Sequence, residues 1–373
     1  MHILFAGGGT AGHINPALAV AGYIKERHPD AKISYIGTPD KLESRLVPEK
    51  GYFFYTIEVE GFQRKLSAKN IKRNASAFKK MFTSSAQARK ILKELKPDVV
   101  IGTGGYVSGP VVREAAKLGI KTAIHEQNAF PGVTTKMLAD KVDAVMLAMP
   151  QAKKYMRLKN EPYITGNPVR SELFKITRDK AREKLGFDDN RPVLLSFGGS
   201  LGARHLNEAM EEVIKKNNIE GTFYHIHATG KNGYETMKNH LDEQGVILGS
   251  NIVLREYIDD MDVCMAAADL VISRAGAISL SELLSCSKPS ILIPSPYVAE
   301  NHQYHNAMTL KYCGAAEVIE EKDLTGESLI KAVSGLIENK PKLEKMSKAA
   351  RENAILDANE RIYQIIMHLY TAV

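Results

Sequence analysis

Tryptophan is missing from the 373 residues of this chain, and there are only three cysteines. Cys264, Cys286 and Cys313 form no C-x-x-C pair. That excludes a disulfide framework or zinc knuckle and suits a reduced compartment. No apolar run reaches the roughly 18 residues of a membrane-spanning helix, and the N-terminus reads as a glycine-interrupted strand rather than a signal peptide. Low-complexity stretches, a Walker lysine and a G-x-S-x-G elbow are absent too. What remains is an ordinary globular composition, 44% hydrophobic and 25% charged, long enough for two domains. The formal net charge of +7 suits an acidic partner such as a nucleotide, a nucleic acid or an anionic lipid, without choosing among them.

Against these absences stands a repeated pattern. Met1-His2-Ile3-Leu4-Phe5-Ala6-Gly7-Gly8-Gly9-Thr10-Ala11-Gly12-His13 and Pro192-Val193-Leu194-Leu195-Ser196-Phe197-Gly198-Gly199-Ser200-Leu201-Gly202-Ala203-Arg204 each read as apolar strand, glycine-rich turn and helix start. The helices follow at Pro16–Lys25 and Asn207–Lys216. Further strands are expected at 32–36, 99–101, 122–124 and 144–147, then at 222–227, 252–254, 270–272 and 290–293. Strands alternating with helices predict an α/β chain with parallel sheets, whose ligands sit at the carboxyl ends of the strands. The break between halves is expected near Tyr163–Pro168. This gives domains 1–163 and 164–349, with a helical tail over Leu343–Tyr370 whose last stretch, 350–373, packs back on the first domain.

The glycine turns carry the functional signal. A helix N-terminus offers unpaired N–H groups and a favourable dipole to an anion. Gly7-Gly8-Gly9-Thr10-Ala11-Gly12 fits the dinucleotide fingerprint G-x-G-x-x-G. The ribose-binding acid expected at the end of the second strand is missing, because that strand ends Tyr35-Ile36-Gly37-Thr38. This counts against a nicotinamide or flavin enzyme and leaves a phosphate turn or a packing turn. His13 lies at the helix start, where the dipole favours the neutral imidazole that a general base requires; a structural cap is the alternative. Gly102-Thr103-Gly104-Gly105-Tyr106-Val107-Ser108-Gly109-Pro110 follows another strand and is rich enough in glycine and hydroxyls for a phosphate nest. The helix from about Ala277 begins with small residues, so a diphosphate can approach its N–H groups. Glu282 in its second turn can accept ribose hydroxyls or complement the helix dipole. The stretch Pro294–Asn306 contains Asn301, His302, Gln303, His305 and Asn306, suited to sugar hydroxyls or to a plain polar loop.

Asp260-Met261-Asp262 spells the metal motif D-x-D but reads better as a helix N-cap. His225 and His227 alternate on a strand, in the core or lining a cleft. The segment from Gly61 to Lys93 has ten Lys or Arg and no Asp or Glu. Within it Ile71, Ala75, Phe78 and Phe82 share one helical face, with Phe62 and Leu66 before them. Apolar side chains ringed by cations suit an anionic membrane surface; a core-facing helix with a basic back is the other reading. Nucleic acid is disfavoured, since stacking platforms are lacking.

Together these words resemble one family, MurG, the peripheral membrane N-acetylglucosaminyltransferases of peptidoglycan synthesis. The matching words are Gly8–His13, Gly104–Pro110, His125-Glu126-Gln127-Asn128, Gly166-Asn167-Pro168-Val169-Arg170, Gly198–Arg204 and Ser273-Arg274-Ala275-Gly276-Ala277. They occur in order over nearly the whole chain. The resemblance implies a GT-B fold, two Rossmann-like domains facing a central cleft. It implies inverting transfer of GlcNAc from UDP-GlcNAc to the 4-hydroxyl of MurNAc in lipid I, giving lipid II at the cytoplasmic face of the membrane. Other GT-B activities, such as diacylglycerol glycosylation or UDP-GlcNAc epimerisation, and a non-enzymatic binding module are the alternatives. The resemblance further implies that uracil meets backbone near Ile258 and that the ribose meets Glu282. The donor diphosphate meets Ser200 and the Ala277, Ile278, Ser279 turn. Gln303 and Asn128 touch the sugar, Arg170 lies by the hinge, and Thr10, Ala11 and Gly12 also reach the donor. The acceptor diphosphate would lie on the first two glycine loops, at Gly104, Gly105, Tyr106 and Ser108. His13 is the expected base and Glu126 the reserve. Helix N-termini with Arg170 or Arg274 would stabilise the leaving group, with no metal and no cofactor. Phe62, Leu66, Ile71, Phe78 and Phe82 with their neighbouring cations would meet the membrane, and cell-wall synthesis proteins are the expected protein partners. Ala11 departs from a glycine common in the family, and His302 stands where some members have a second glutamine.

Overall fold

The computed structural model describes residues 1–59, 83–199 and 201–372. It divides into two compact units, Met1–Pro168 with Leu356–Val373, and Val169–Ile355. Each is built on one parallel sheet covered by helices.

In the first unit the strands are β1 (His2–Gly7), β2 (Lys32–Gly37), β3 (Phe53–Thr56), β4 (Val99–Gly104), β5 (Lys121–Glu126), β6 (Ala144–Leu147) and β7 (Tyr163–Ile164). Their order across the sheet is β3-β2-β1-β4-β5-β6-β7. The second unit has β8 (Val193–Phe197), β9 (Tyr224–Ala228), β10 (Ile252–Arg255), β11 (Leu270–Ser273), β12 (Ser290–Leu292) and β13 (Ala316–Val318), in the order β10-β9-β8-β11-β12-β13. The central strands are continuous apolar runs because helices cover both faces. Ile3, Leu4 and Phe5 of β1 are all buried, Ile3 and Phe5 in one core and Leu4 in the other.

The strand order reverses direction between β1 and β4 in the first sheet and between β8 and β11 in the second. A reversal parts the connecting helices to opposite faces and leaves a crevice at the carboxyl ends of the two strands. The turns singled out in the sequence lie there, at Gly7–Gly12 and the Gly104–Gly105 junction in one unit and at Gly198, Gly199, 201–203 and Arg274–Gly276 in the other. The stretch expected as a loop over 102–110 is strand as far as Gly104 and helix from Gly105, with Pro110 inside the helix rather than at its start.

Three strands escaped the sequence pattern. β3, β7 and β13 lie at or near sheet edges, and Phe53 of β3 is exposed. An edge strand needs only one partner and one covered face, so its apolar run is weak. The tail is not one helix. It forms Lys340–Glu352 and Ala358–Thr371, broken where the chain passes from the second unit to the first. Ile362, Ile365, Ile366 and Leu369 join Ile3, Phe5, Ala17 and Ile24 in the first unit's core. His28 Nε2 lies 2.8 Å from the Tyr363 hydroxyl, and Tyr23 donates to Glu360.

The membrane-facing residues expected at Phe62, Leu66, Ile71, Phe78 and Phe82 lie outside the described residues. The last part of that basic segment belongs to a helix over residues 83–95, which buries Ala88 and Leu92. Among the described residues no helix is long and apolar enough to cross a membrane.

Candidate functional site

In the first unit, the helix Ala11–Arg27 follows β1 and the helix Gly105–Lys117 follows β4; neither has a side-chain cap at its N-terminus. The two turns touch. A Cβ on Gly105 would collide with the Gly8 carbonyl oxygen, and one on Gly104 would lie 2.5 Å from His13 Nδ1. Gly104 also has φ 111°, open to glycine and strained for any other residue. These glycines therefore let the second turn close over the first and make room for the imidazole of His13.

His13 is half-buried, with Nδ1 3.2 Å from Gln127 Oε1. No partner for its Nε2 occurs among the described residues. Gln127 is 2% exposed. Its Nε2 lies 3.0 Å from the carbonyl oxygens of Thr103 and His125 and 3.0 Å from His125 Nδ1. The buried His125 places Nε2 2.9 Å from the Gly166 carbonyl, and burial holds this imidazole below its usual pKa, in the neutral form. Nothing in the local sequence marks Gln127 for a role. Its function depends on a contact 114 residues away in the chain, which spacing cannot disclose.

Several expected residues are spent within the fold. Ser108 accepts from the Gly104 N–H at 3.0 Å, and its hydroxyl faces the carbonyls of Ala6 at 2.7 Å and Gly104 at 2.8 Å. It is 1% exposed, so it ties the turn together, whereas Tyr106 beside it is exposed. Glu126 accepts from Asn128 N–H (3.1 Å), Asn128 Nδ2 (3.0 Å) and Gly132 N–H (3.1 Å). A carboxylate holding three donors in a buried loop is better described as a staple than as a reserve base, and it also engages the Asn128 amide nitrogen. The first glycine loop has a second, unforeseen ligand. Glu43, fully buried, accepts from Gly9 N–H at 3.0 Å and from Thr38 N–H at 3.1 Å and hydroxyl at 2.7 Å. One loop amide is thus already taken by a protein anion, and Gly8 is where a Cβ would strike that carboxylate. Thr10 and Ala11 at the turn are exposed and Gly12 is partly so.

In the second unit, helices Arg204–Glu220 and Ala277–Ser285 likewise start without side-chain caps. Between them lies a cavity of about 630 Å³ lined by Gly198, Gly199, Gly202, Arg204, His205, Arg274, Gly276, Ser279, Ser295, Gln303 and Glu321 among others. The Gly202 turn packs so tightly on Thr229 that a Cβ would meet its carbonyl oxygen. Arg274 pairs with Glu321 and donates to the Ile293 carbonyl at 3.1 Å. His205 Nδ1 lies 2.9 Å from Glu321 Oε1, and Arg204 Nη2 lies 3.1 Å from His205 Nε2. Gln303 Oε1 accepts from Ser295 N–H at 2.9 Å. Two uncapped helix ends and three basic side chains around a half-open cavity suit a diphosphate.

Ser279 and Gln303 therefore line the cavity, with the glycine turn. Ile258, Ala277, Ile278, Glu282 and Arg170 are not among its lining residues. Ile258 and Glu282 are buried, and Arg170 Nε donates to Glu282 Oε1 at 2.8 Å, so the ribose candidate is already half engaged by the hinge candidate. Ser200 lies outside the described residues. The polar stretch is not all loop. A helix runs over His302–Tyr312, and Asn306, fully buried, donates to the Ala275 carbonyl at 3.2 Å, which removes it from any sugar contact. Glu300 and Asn301 hold φ of 56° and 50° just before that helix, a strained lead-in to Gln303. Local sequence gives little sign of roles for Arg204, His205 and Glu321. Arg204 had a signal, at the end of a glycine turn; Glu321 had none.

Asp260 sits at the helix N-cap position but makes no side-chain cap. Its carboxylate takes Arg255 at 2.5 Å. Among the described residues no group of three or more His, Cys, Asp or Glu could hold a metal ion. His225 Nε2 and His227 Nδ1 both lie 2.8 Å from Ser196 Oγ, all three fully buried, so this pair belongs to the core.

The comparisons with known proteins agree with this architecture. Residues 3–147 match the glycosyltransferase family 28 N-terminal domain and residues 193–362 its C-terminal domain. A protein of Acetivibrio thermocellus, named UDP-N-acetylglucosamine--N-acetylmuramyl-(pentapeptide) pyrophosphoryl-undecaprenol N-acetylglucosamine transferase, is 48% identical over 98% of this chain and 97% of its own. One of the same name from Ruminiclostridium cellulolyticum is 46% identical over 99% of this chain and 100% of its own. The crystal structure of Acinetobacter baumannii MurG superposes with a TM-score of 0.80 at 29% identity, covering 98% of this chain and 99% of that one. With both halves matched in order and the two parallel-sheet units in place, the chain belongs to glycosyltransferase family 28 and, within it, to the MurG family.

Proposed function

We propose that the protein transfers GlcNAc from UDP-GlcNAc to the 4-hydroxyl of MurNAc in undecaprenyl-diphosphate-MurNAc-pentapeptide, with inversion at the anomeric carbon, in peptidoglycan synthesis. The activity stated in the names of relatives 44–48% identical over nearly the full chain supports this acceptor over diacylglycerol or epimerisation. The observation that carries the chemistry is His13, whose Nδ1 meets a buried amide oxygen at the junction of two glycine turns.

In the displacement the acceptor hydroxyl attacks the anomeric carbon, the bond to UDP breaks, and His13 takes the hydroxyl proton. The leaving diphosphate is held by the helix N-termini at Arg204 and Ala277 and by Arg274 and Arg204, with Ser279 and Gln303 on the donor. Ser200, Ile258, Glu282, Arg170 and Asn128 complete the donor contacts in this reading, and Gly104, Gly105 and Tyr106 those of the acceptor diphosphate, with the Thr10–Gly12 turn facing the donor. The protein works at the cytoplasmic face of the membrane as a peripheral enzyme. The net charge of +7 and the Lys/Arg-rich segment around Phe62, Leu66, Ile71, Phe78 and Phe82 support attraction to anionic lipid.

The test is UDP release by purified protein given UDP-GlcNAc with and without a short-chain lipid I analogue. Release that requires the acceptor and yields the disaccharide is expected. Donor binding without such release would remove the lipid I acceptor, and no donor binding would remove the donor site.

A further inference from the structure

We infer that Gln127 is a positioning residue that fixes the tautomer of His13, through a chain of hydrogen bonds anchored at the Gly166 carbonyl. The inference rests on the reading of His13 as the base.

The direction of every bond follows from one end. A carbonyl oxygen can only accept, so His125, whose Nε2 lies 2.9 Å from Gly166 O, carries its proton on Nε2. Its burial keeps the ring neutral, so Nδ1 is an acceptor. The Gln127 side chain then has to present its nitrogen to His125 Nδ1 and to the carbonyls of Thr103 and His125, each 3.0 Å away. Turning the amide over would set its oxygen against two carbonyl oxygens and a lone pair, in a site only 2% exposed, at the cost of leaving buried groups unpaired. With the nitrogen fixed, Oε1 faces His13 Nδ1 at 3.2 Å. An amide oxygen cannot donate, so His13 must carry its proton on Nδ1 and present the lone pair on Nε2. A neutral histidine in water prefers the opposite tautomer, with the proton on Nε2. The chain therefore selects the minor form, the one able to take a proton at Nε2. Gly104 contributes by leaving room for the ring in this orientation. A neutral amide fills the position that a carboxylate fills in other histidine-based sites. It sets the tautomer without adding a negative charge beside the imidazole.

The readout is nitrogen-15 NMR of histidine-labelled protein, which reports which ring nitrogen of His13 bears the proton; the His13→Ala spectrum assigns the signal. Wild type should show the Nδ1–H form at neutral pH. Gln127→Leu should shift His13 toward Nε2–H and lower kcat roughly 10-fold to 100-fold with KM for UDP-GlcNAc unchanged. Gln127→Glu keeps an acceptor at His13 Nδ1 and, as the neutral acid, offers one O–H donor to the acceptors that faced the amide nitrogen, so it should retain the Nδ1–H form and more of the kcat than Gln127→Leu. An Nε2–H wild type, or the same tautomer in Gln127→Leu as in wild type, overturns the inference, as do equal tautomer populations in the two variants. If His13→Ala keeps normal turnover, the base assignment falls instead, while the NMR result still decides whether Gln127 sets the tautomer.

Discussion

At the scale of single residues, the first unit's site turns on contacts that leave no room for substitution. His13→Ala should lower turnover roughly 100-fold or more, while UDP affinity, measured by calorimetry, stays near the wild-type value. Near-normal turnover would take His13 out of the role of base. Gly104→Ala should act on the same ring from the other side. A Cβ there would stand 2.5 Å from His13 Nδ1 on a backbone with φ 111°. With ψ at −177° this backbone is open essentially to glycine alone and costs any other residue about 1–3 kcal/mol, so the melting temperature should drop and turnover should fall with it. A variant as stable and active as the parent would show that the ring and turn are not packed as described. His13 and Gly104 were both legible in the sequence as members of glycine turns. Gln127 and Glu43 were not, because their partners, His13 and Gly9, lie far along the chain and no local pattern marks an amide or acid that will fold back onto a turn.

At the scale of elements, the same physics made some parts readable and hid others. β1 and β8 announced themselves as apolar runs ending in glycine, because a central parallel strand is buried on both faces. β3 and β13 did not, being edges. The helix Ala358–Thr371 was legible as amphipathic, with Ile362, Ile365, Ile366 and Leu369 at helical spacing, but its N-terminal limit was not. The break at residues 353–357 reflects a change of core, which no periodicity records. Ile366 is fully buried in the first unit's core. Ile366→Ala should therefore cost about 2–5 kcal/mol, read as a lower urea midpoint with an unchanged slope. A cost below about 1 kcal/mol, the range usual for surface substitutions, would contradict the packing of this helix on the sheet.

At the scale of the whole molecule, stability should depend on pH through two histidines in the core of the second unit. His225 and His227 share Ser196 Oγ inside the second unit. Burial pushes His227 from its ordinary 6.5 down to about 4, and His225 well below its usual value. The folded state binds fewer protons than the unfolded chain in that window, so stability rises with pH there. It is fully present above about pH 6.5 and falls as the pH drops toward 4, by on the order of 3 kcal/mol for His227. Urea denaturation at pH 7 and pH 5 should show the loss, and His227→Gln should reduce it, leaving the part due to His225. A flat profile in the parent would mean that the two rings are not held neutral in the core.

Local order along the chain was enough to determine a good deal: an α/β chain of two parallel-sheet units, the glycine turns at strand ends and His13 at a helix start. These follow from short-range rules, since a covered strand must be apolar and a turn that meets another backbone must be glycine. The tertiary structure decided which polar groups remain for a ligand. It spent Ser108, Glu126, Asn306 and one amide of the first glycine loop on the fold itself. It also brought Gln127 to His13 and Glu321 to Arg274. Hydrogen-bond capacity is limited and buried groups must be paired, so the division between structure and function is settled only when distant segments meet.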